Sequence, residues 1–132
     1  MKRLTAVVAA IAALSLAVSS AQAQNPLTVA PQMYKLKFEN ERVRVMEVTF
    51  KPGDTIAAHS HPDHYVYAAS GGTLRIFHSA SDTGAVVPIK TGDIVWLNAE
   101  THWAKNIGKT TVDLIVNELK EPKPAMVKDD KK

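Results

Sequence analysis

Beyond residue 23 the sequence predicts an all-β fold, a closed or nearly closed two-sheet barrel. Three observations carry that reading. From Gln24 onward, short runs of alternating apolar and polar residues succeed one another, separated by Gly, Pro, Asn and Asp. Helical periodicity is absent over any long stretch. The chain beyond residue 23 is about 110 residues long, the size of a single domain with one core, enough for a small barrel or sandwich and too short for two domains.

The first residues stand apart from this pattern. Met1-Lys2-Arg3 is a short basic start, Leu4 to Val18 is an apolar run rich in Ala, Leu and Val, and Ala21-Gln22-Ala23 supplies a small-x-small cleavage pattern. That is the build of a secretory signal peptide cut between Ala23 and Gln24. An N-terminal membrane anchor is the alternative, but the run falls short of the roughly 20 residues that span a bilayer. The sequence therefore reads as signal peptide over 1–23, barrel over 24–119 and a charged tail over 120–132. It implies a secreted protein, periplasmic in a Gram-negative cell, with no membrane attachment after cleavage.

Tyr34 to Phe38 and Arg42 to Phe50 read as strands joined at Glu39-Asn40-Glu41, and Lys51-Pro52-Gly53-Asp54 is a strong turn. A strand from Ile56 to His61 stops at Pro62, and its return strand, His64 to Ala69, ends at Gly71-Gly72. Thr73 to His78 comes next, then the polar loop Ser79 to Gly84. Ala85 to Lys90, the turn Thr91-Gly92-Asp93, Ile94 to Leu97, the turn Asn98 to Thr101, His102 to Ile107 and Thr111 to Leu119 complete about nine or ten strands. Glu121-Pro122-Lys123-Pro124 ends the pattern, and the rest reads as a flexible tail.

The formal charge of +3 misleads. Lys2 and Arg3 leave with the signal peptide, and five lysines sit from Lys120 onward. Between Gln24 and Leu119 nine Lys/Arg face ten Asp/Glu, a net of −1. Such a body has no electrostatic footprint for nucleic acid. There is no cysteine, so the fold has no disulfide and any metal must be held by nitrogen and oxygen ligands.

Three of the five histidines fall in Ala58-His59-Ser60-His61-Pro62-Asp63-His64. His59 and His61 are two apart on one strand, so both imidazoles point to one face and can reach one ion. An isolated H-x-H beside a Pro-Asp turn is as readily a solvated polar turn. His64 opens the return strand. With it inward, Val66 and Ala68 line the interior and Tyr65 and Tyr67 face out, which suits a narrow barrel; the opposite phase puts Tyr65 inward. His102 lies on a later strand that a barrel could bring opposite the first cluster. His59, His61, His64 and His102 are thus the candidate ligands, and imidazole suits Fe, Ni, Cu or Zn. His78 fits no pattern and reads as structural or solvated, while Trp96 and Trp103 could wall a pocket or pack in core.

The flanking residues add to this. Gly53, five residues, His59-Ser60-His61 and then Gly71 resemble the first motif of the cupin family, G-x5-H-x-H-x3-4-E-x6-G. Gly92 to His102, with Asn106, resembles the second, G-x5-P-x-G-x2-H-x3-N. The resemblance spans about Asn40 to Leu119. It implies a cupin-type double-stranded β-helix, jelly-roll-like, with one metal inside the barrel held by His59, His61 and His102.

The departures are specific. No Glu stands at the third-ligand place: alignment on Gly71 puts His64 there, and alignment on Gly72 puts Tyr65. Asn98 and Glu100 replace the Pro and Gly of the second motif, and the spacing to His102 is one residue short. A site of neutral histidines offsets less of a divalent charge than the family's usual set, which disfavours Mn²⁺ relative to Fe²⁺, Ni²⁺, Cu²⁺ or Zn²⁺. Glu47 could add a carboxylate, though an exposed Glu is the plainer reading. The resemblance also implies a homodimer, with Asn25-Pro26 and the first strand extending a partner's sheet. The implied function is a metal-dependent oxygenase or isomerase acting on a small molecule of unassigned identity, for which Tyr65, Glu100 or Glu47 could serve as base; the alternative is a non-catalytic module binding metal or a small ligand.

Overall fold

Asn25 caps the first element: its side-chain oxygen accepts from Leu27 N at 3.1 Å, with Pro at the first helical position, a residue pair that starts a helix rather than a strand. The computed structural model describes residues 24–120. The signal peptide read at 1–23 and the tail beyond Lys120 lie outside the described residues. Lys120 itself is tied down, its Nζ 2.8 Å from Glu39 Oε1 and its N–H donating to Arg42 O.

One helical turn and nine strands succeed one another in order: α1 (Pro26–Val29), β1 (Tyr34–Glu39), β2 (Val43–Phe50), β3 (Thr55–His61), β4 (His64–Ser70), β5 (Gly72–Phe77), β6 (Ala85–Ile89), β7 (Ile94–Leu97), β8 (Glu100–Asn106) and β9 (Val112–Leu119). The extended segment expected from Asn25-Pro26 is therefore a helical turn, whose Leu27 and Val29 pack on the core. The expected turn Asn98 to Thr101 is shorter. Ala99 N–H donates to Asp63 Oδ1 at 2.8 Å, and Glu100 already pairs with His61.

The strands form two antiparallel sheets, one ordered β1-β2-β9-β4-β7 and the other β3-β8-β5-β6. The core lies between them. Met46, Val48 and Phe50 of β2 and Val112, Leu114 and Val116 of β9 meet Ile56 of β3, Leu74 of β5 and Ala104 of β8. β9 alternates buried and half-buried residues along its whole length, as a strand with one covered face must.

β3 breaks that rule at one place. Ile56 pairs with Ala104 and His59 with His102, so three steps on β3 face two on β8. This bulge at Ala57-Ala58 resets the phase. Without it, an inward Ile56 would put Ala58 and Ser60 inward and both histidines outside. With it, Ile56, His59 and His61 are all buried.

Two turns hold the strand ends by the same device. Gly53 and Gly92 have φ of 85° and 92°, the left-handed region that favours glycine. The Asp after each glycine accepts from the backbone three residues back: Asp54 from Lys51 N at 2.9 Å, Asp93 from Lys90 N at 2.8 Å.

Candidate metal centre

Four histidines meet at one end of the space between the sheets. His59 and His61 come from β3 and His102 from β8, directly paired with His59. His102 thus stands beside the first cluster, in the same sheet, rather than opposite it across the barrel. One donor atom from each of these three lies within 4.8 Å of the other two, and all three residues are buried.

His64 enters from the other sheet. It is 1 % exposed, Ala68 is buried, and Tyr65 and Tyr67 are 38 % and 40 % exposed on the outer face. The inward phase of β4 is therefore the one adopted. Its ring lies against His61 with centroids 4.6 Å apart, next to the three-histidine group but outside the set of donors that lie within 4.8 Å of one another.

Every one of these rings has its Nδ1 occupied. His59 Nδ1–H donates to Ala57 O at 2.9 Å, and His64 Nδ1–H to Pro62 O at 2.8 Å. A carbonyl can only accept, so both rings carry their proton on Nδ1. His61 Nδ1–H donates to Glu118 Oε1 and His102 Nδ1–H to Glu100 Oε1, each at 2.6 Å. The Nε2 lone pairs are what remains for the interior, the arrangement in which a second partner orients a metal-ligating histidine.

The bulge has a direct part in this. Ala57, one of its two residues, supplies the carbonyl that orients His59.

His59 Nε2 and His102 Nε2 lie 3.2 Å apart. With both protons on Nδ1, two lone pairs face each other across a buried gap, an arrangement that a cation between them would stabilise. Tyr34 of β1 donates its hydroxyl to His59 Nε2 at 3.3 Å, a bond that an ion on that nitrogen would replace. Burial and the nearby Glu118 charge hold its phenol well above the usual range, so it stays a donor.

Burial also favours the neutral form of the three imidazoles His59, His61 and His102. It lowers His59 and His102 to about 4, and lowers His61 in spite of Glu118. The carboxylates go the other way in charge. Burial pushes Glu118 up, but the bond from His61 and the Arg44 charge outweigh it and hold the carboxyl below its ordinary range. For Glu100 burial is likewise outweighed, by His102 and His78.

Glu118 is the residue that sequence reasoning missed. It is 2 % exposed, and its Oε2 takes both Arg44 Nε at 2.7 Å and Arg44 Nη2 at 2.6 Å. The signal was present: Val112, Leu114 and Val116 alternate, and Glu118 continues the same face. Glu47, the carboxylate that the sequence offers for this part, points out and pairs with Lys37 at 3.0 Å.

The remaining candidates separate cleanly. His78 is half exposed and lines the cavity, with its Nε2 3.0 Å from Glu100 Oε2; His78, Glu100 and His102 form a second, more open group of donors. Trp96 is 53 % exposed and bonds Asn98, while Trp103 stacks on Phe77 at 5.5 Å, so neither walls the cavity. Asn106, matched to the second motif, is structural, donating to Phe50 O and Thr110 O.

The histidines open onto a cavity of about 270 Å³, lined beyond them almost wholly by aliphatic side chains from both sheets.

No family model matches the chain, and no curated protein matches it. Solved structures do. A cupin domain from Bordetella pertussis Tohama I superposes with a TM-score of 0.61, at 23% identity, over 67% of this chain and 93% of that one. An RmlC-like cupin family protein with a double-stranded β-helix fold from Methanocaldococcus jannaschii gives 0.53 at 14% identity, over 65% and 77%. A cupin superfamily protein from Desulfitobacterium hafniense DCB-2 gives 0.51 at 16%, over 67% and 77%. At these identities the likeness speaks for the fold alone. The chain has the cupin fold, an all-β double-stranded β-helix. Within it lies a buried group, His59, His61 and His102, that could bind a metal ion.

Proposed function

We propose that this chain is an exported cupin-fold protein that holds one divalent transition metal on His59, His61 and His102, with His64 beside them as the fourth ligand. The observation that carries this reading is the occupied Nδ1 of every ring, which leaves only Nε2 lone pairs for the interior. Fe²⁺, Ni²⁺, Cu²⁺ or Zn²⁺ suit such nitrogen donors better than Mn²⁺ does. Glu118 and Glu100, hydrogen-bonded behind His61 and His102, offset charge that the neutral rings do not.

A bound ion would polarise an oxygen of a small molecule, or exchange an electron if it is iron or copper, which is the chemistry an oxygenase or isomerase needs. The chain's own residues orient the rings, exclude water with the aliphatic wall and offer the Tyr34 hydroxyl as a donor.

A second reading, a non-catalytic binding module, draws support from the carboxylates. Both oxygens of Glu118 and both of Glu100 already accept hydrogen bonds, and Tyr65 faces out, so none of these is free as a general base.

Titration calorimetry of metal-free protein with Fe²⁺, Ni²⁺, Cu²⁺ and Zn²⁺ tests the metal, with His102→Ala expected to abolish binding; no uptake of any of the four ions would sink the proposal. Oxygen consumption over a metabolite panel then separates oxygenase from binder. Export predicts a mature chain beginning at Gln24, read by intact mass of protein recovered from the periplasm. The homodimer is tested by sedimentation of that same material.

A further inference from the structure

The cavity that the histidines open onto is two-ended. One end carries the Nε2 atoms and the Tyr34 hydroxyl, and the body is walled by Val48, Leu74, Ile76, Val87, Val95 and Leu97. Among the described residues no Lys or Arg lines it. The charged lining groups are Asp93 and Glu100, both acidic and both already accepting hydrogen bonds.

Size narrows the occupant further. The volume is about 270 Å³, just below the roughly 300–1,000 Å³ usual for small-molecule sites. It exceeds the roughly 150 Å³ of an apolar cavity that holds benzene.

From this, and resting on the metal reading above, we infer that the ligand is a single-headed molecule of about one substituted ring, with one oxygen or nitrogen donor on the metal and an uncharged apolar body. A second charged group at the far end would lose its hydration against the aliphatic wall with no cation to meet it and with Asp93, beside Ala68 at the end of β4 away from His64, repelling an anion. Dicarboxylates, and phosphorylated molecules with a second charged end, are excluded on the same ground.

The test uses a matched pair, 4-methylbenzoate and terephthalate, which differ by a methyl against a second carboxylate. Zn²⁺ is titrated first into the metal-free full-length mature protein, and each acid then into the loaded sample. 4-Methylbenzoate binds about tenfold or more tightly than terephthalate, because either orientation of the diacid buries a carboxylate. Equal or tighter binding of terephthalate overturns the inference, as does failure of both acids to bind protein that has taken up Zn²⁺.

Val95→Lys places an ammonium at the wall from an edge strand where the residue is 42 % exposed, a position that tolerates the change. The preference narrows or reverses in that variant, and an unchanged ratio overturns the assignment. If no Zn²⁺ is taken up, the metal reading fails by itself, and 4-methylphenol titrated into the metal-free protein still reads the cavity. NMR shifts at the methyls of Val48, Leu74 and Leu97 then support an apolar ligand, and their absence overturns it.

Discussion

Glu118 shows how one side chain can organise the site without facing its interior. Its carboxylate joins His61 on one oxygen and Arg44 on the other, so the proton on His61 Nδ1 and the charge on Arg44 are satisfied together. Glu118→Gln weakens that anchor, and metal affinity falls by about 10–100-fold in calorimetry. The histidines set a pH dependence whose sign comes from their burial. Unfolded, they take a proton near 6.5, while folded His59 and His102 take one at about 4 and His61 below the ordinary value. Their contribution to stability is therefore whole above about pH 6.5 and is lost as pH falls toward 4. Glu118 and Glu100, held below the carboxylate range, act in the same direction at lower pH. The melting temperature of metal-free protein should fall steadily from pH 7 to pH 4.5, and a flat profile would contradict the burial of these rings.

At the scale of elements, the two glycines of the first motif serve different physical ends. Gly53 needs a positive φ and has open space around it, so Gly53→Ala costs the left-handed penalty, about 1–2 kcal/mol. Gly71 has no such φ, but a Cβ there would lie 2.3 Å from Ile89 O and 2.7 Å from Thr91 N, both backbone atoms that cannot step aside. Gly71→Ala should therefore cost more, about 1–3 kcal/mol or beyond, and distort the β4–β6 approach. Urea denaturation of the two variants checks the order. Strand periodicity made β2, β4 and β9 legible, and with β4 the inward phase of His64. It could not show the bulge in β3, because Ala57 and Ala58 are small and neutral and carry no signal of which one steps out of the ladder.

For the molecule as a whole, the proposed metal would be linked to the fold. An ion that binds only the folded chain stabilises it by about 2.7 kcal/mol at a hundred times its dissociation constant. For a domain of this size each kcal/mol moves the midpoint by about 4–8 °C. Zn²⁺ at that excess should raise the melting temperature by about 10 °C or more, EDTA should reverse the rise, and His102→Ala should show none of it. The two sheets are what make this linkage strong. His59, His61 and His102 come from one sheet, while Glu118, Tyr34 and His64 reach them from the other, so the site exists only when the sheets are packed.

The all-β class and His59, His61, His64 and His102 as candidates were determined by the sequence alone, because side chains on a strand repeat every two residues and turns need particular residue types. What only the tertiary structure decided is which groups stand behind and beside those histidines. His102 is a neighbour of His59 in one sheet rather than a partner across the barrel, Glu118 rather than Glu47 takes the anchoring part, and Asn25 starts a helical turn instead of a strand. These depend on contacts between residues as much as 74 positions apart, as from Arg44 to Glu118, and on a one-residue bulge. Local periodicity carries no information about either, since both are settled by how the sheets pair and pack.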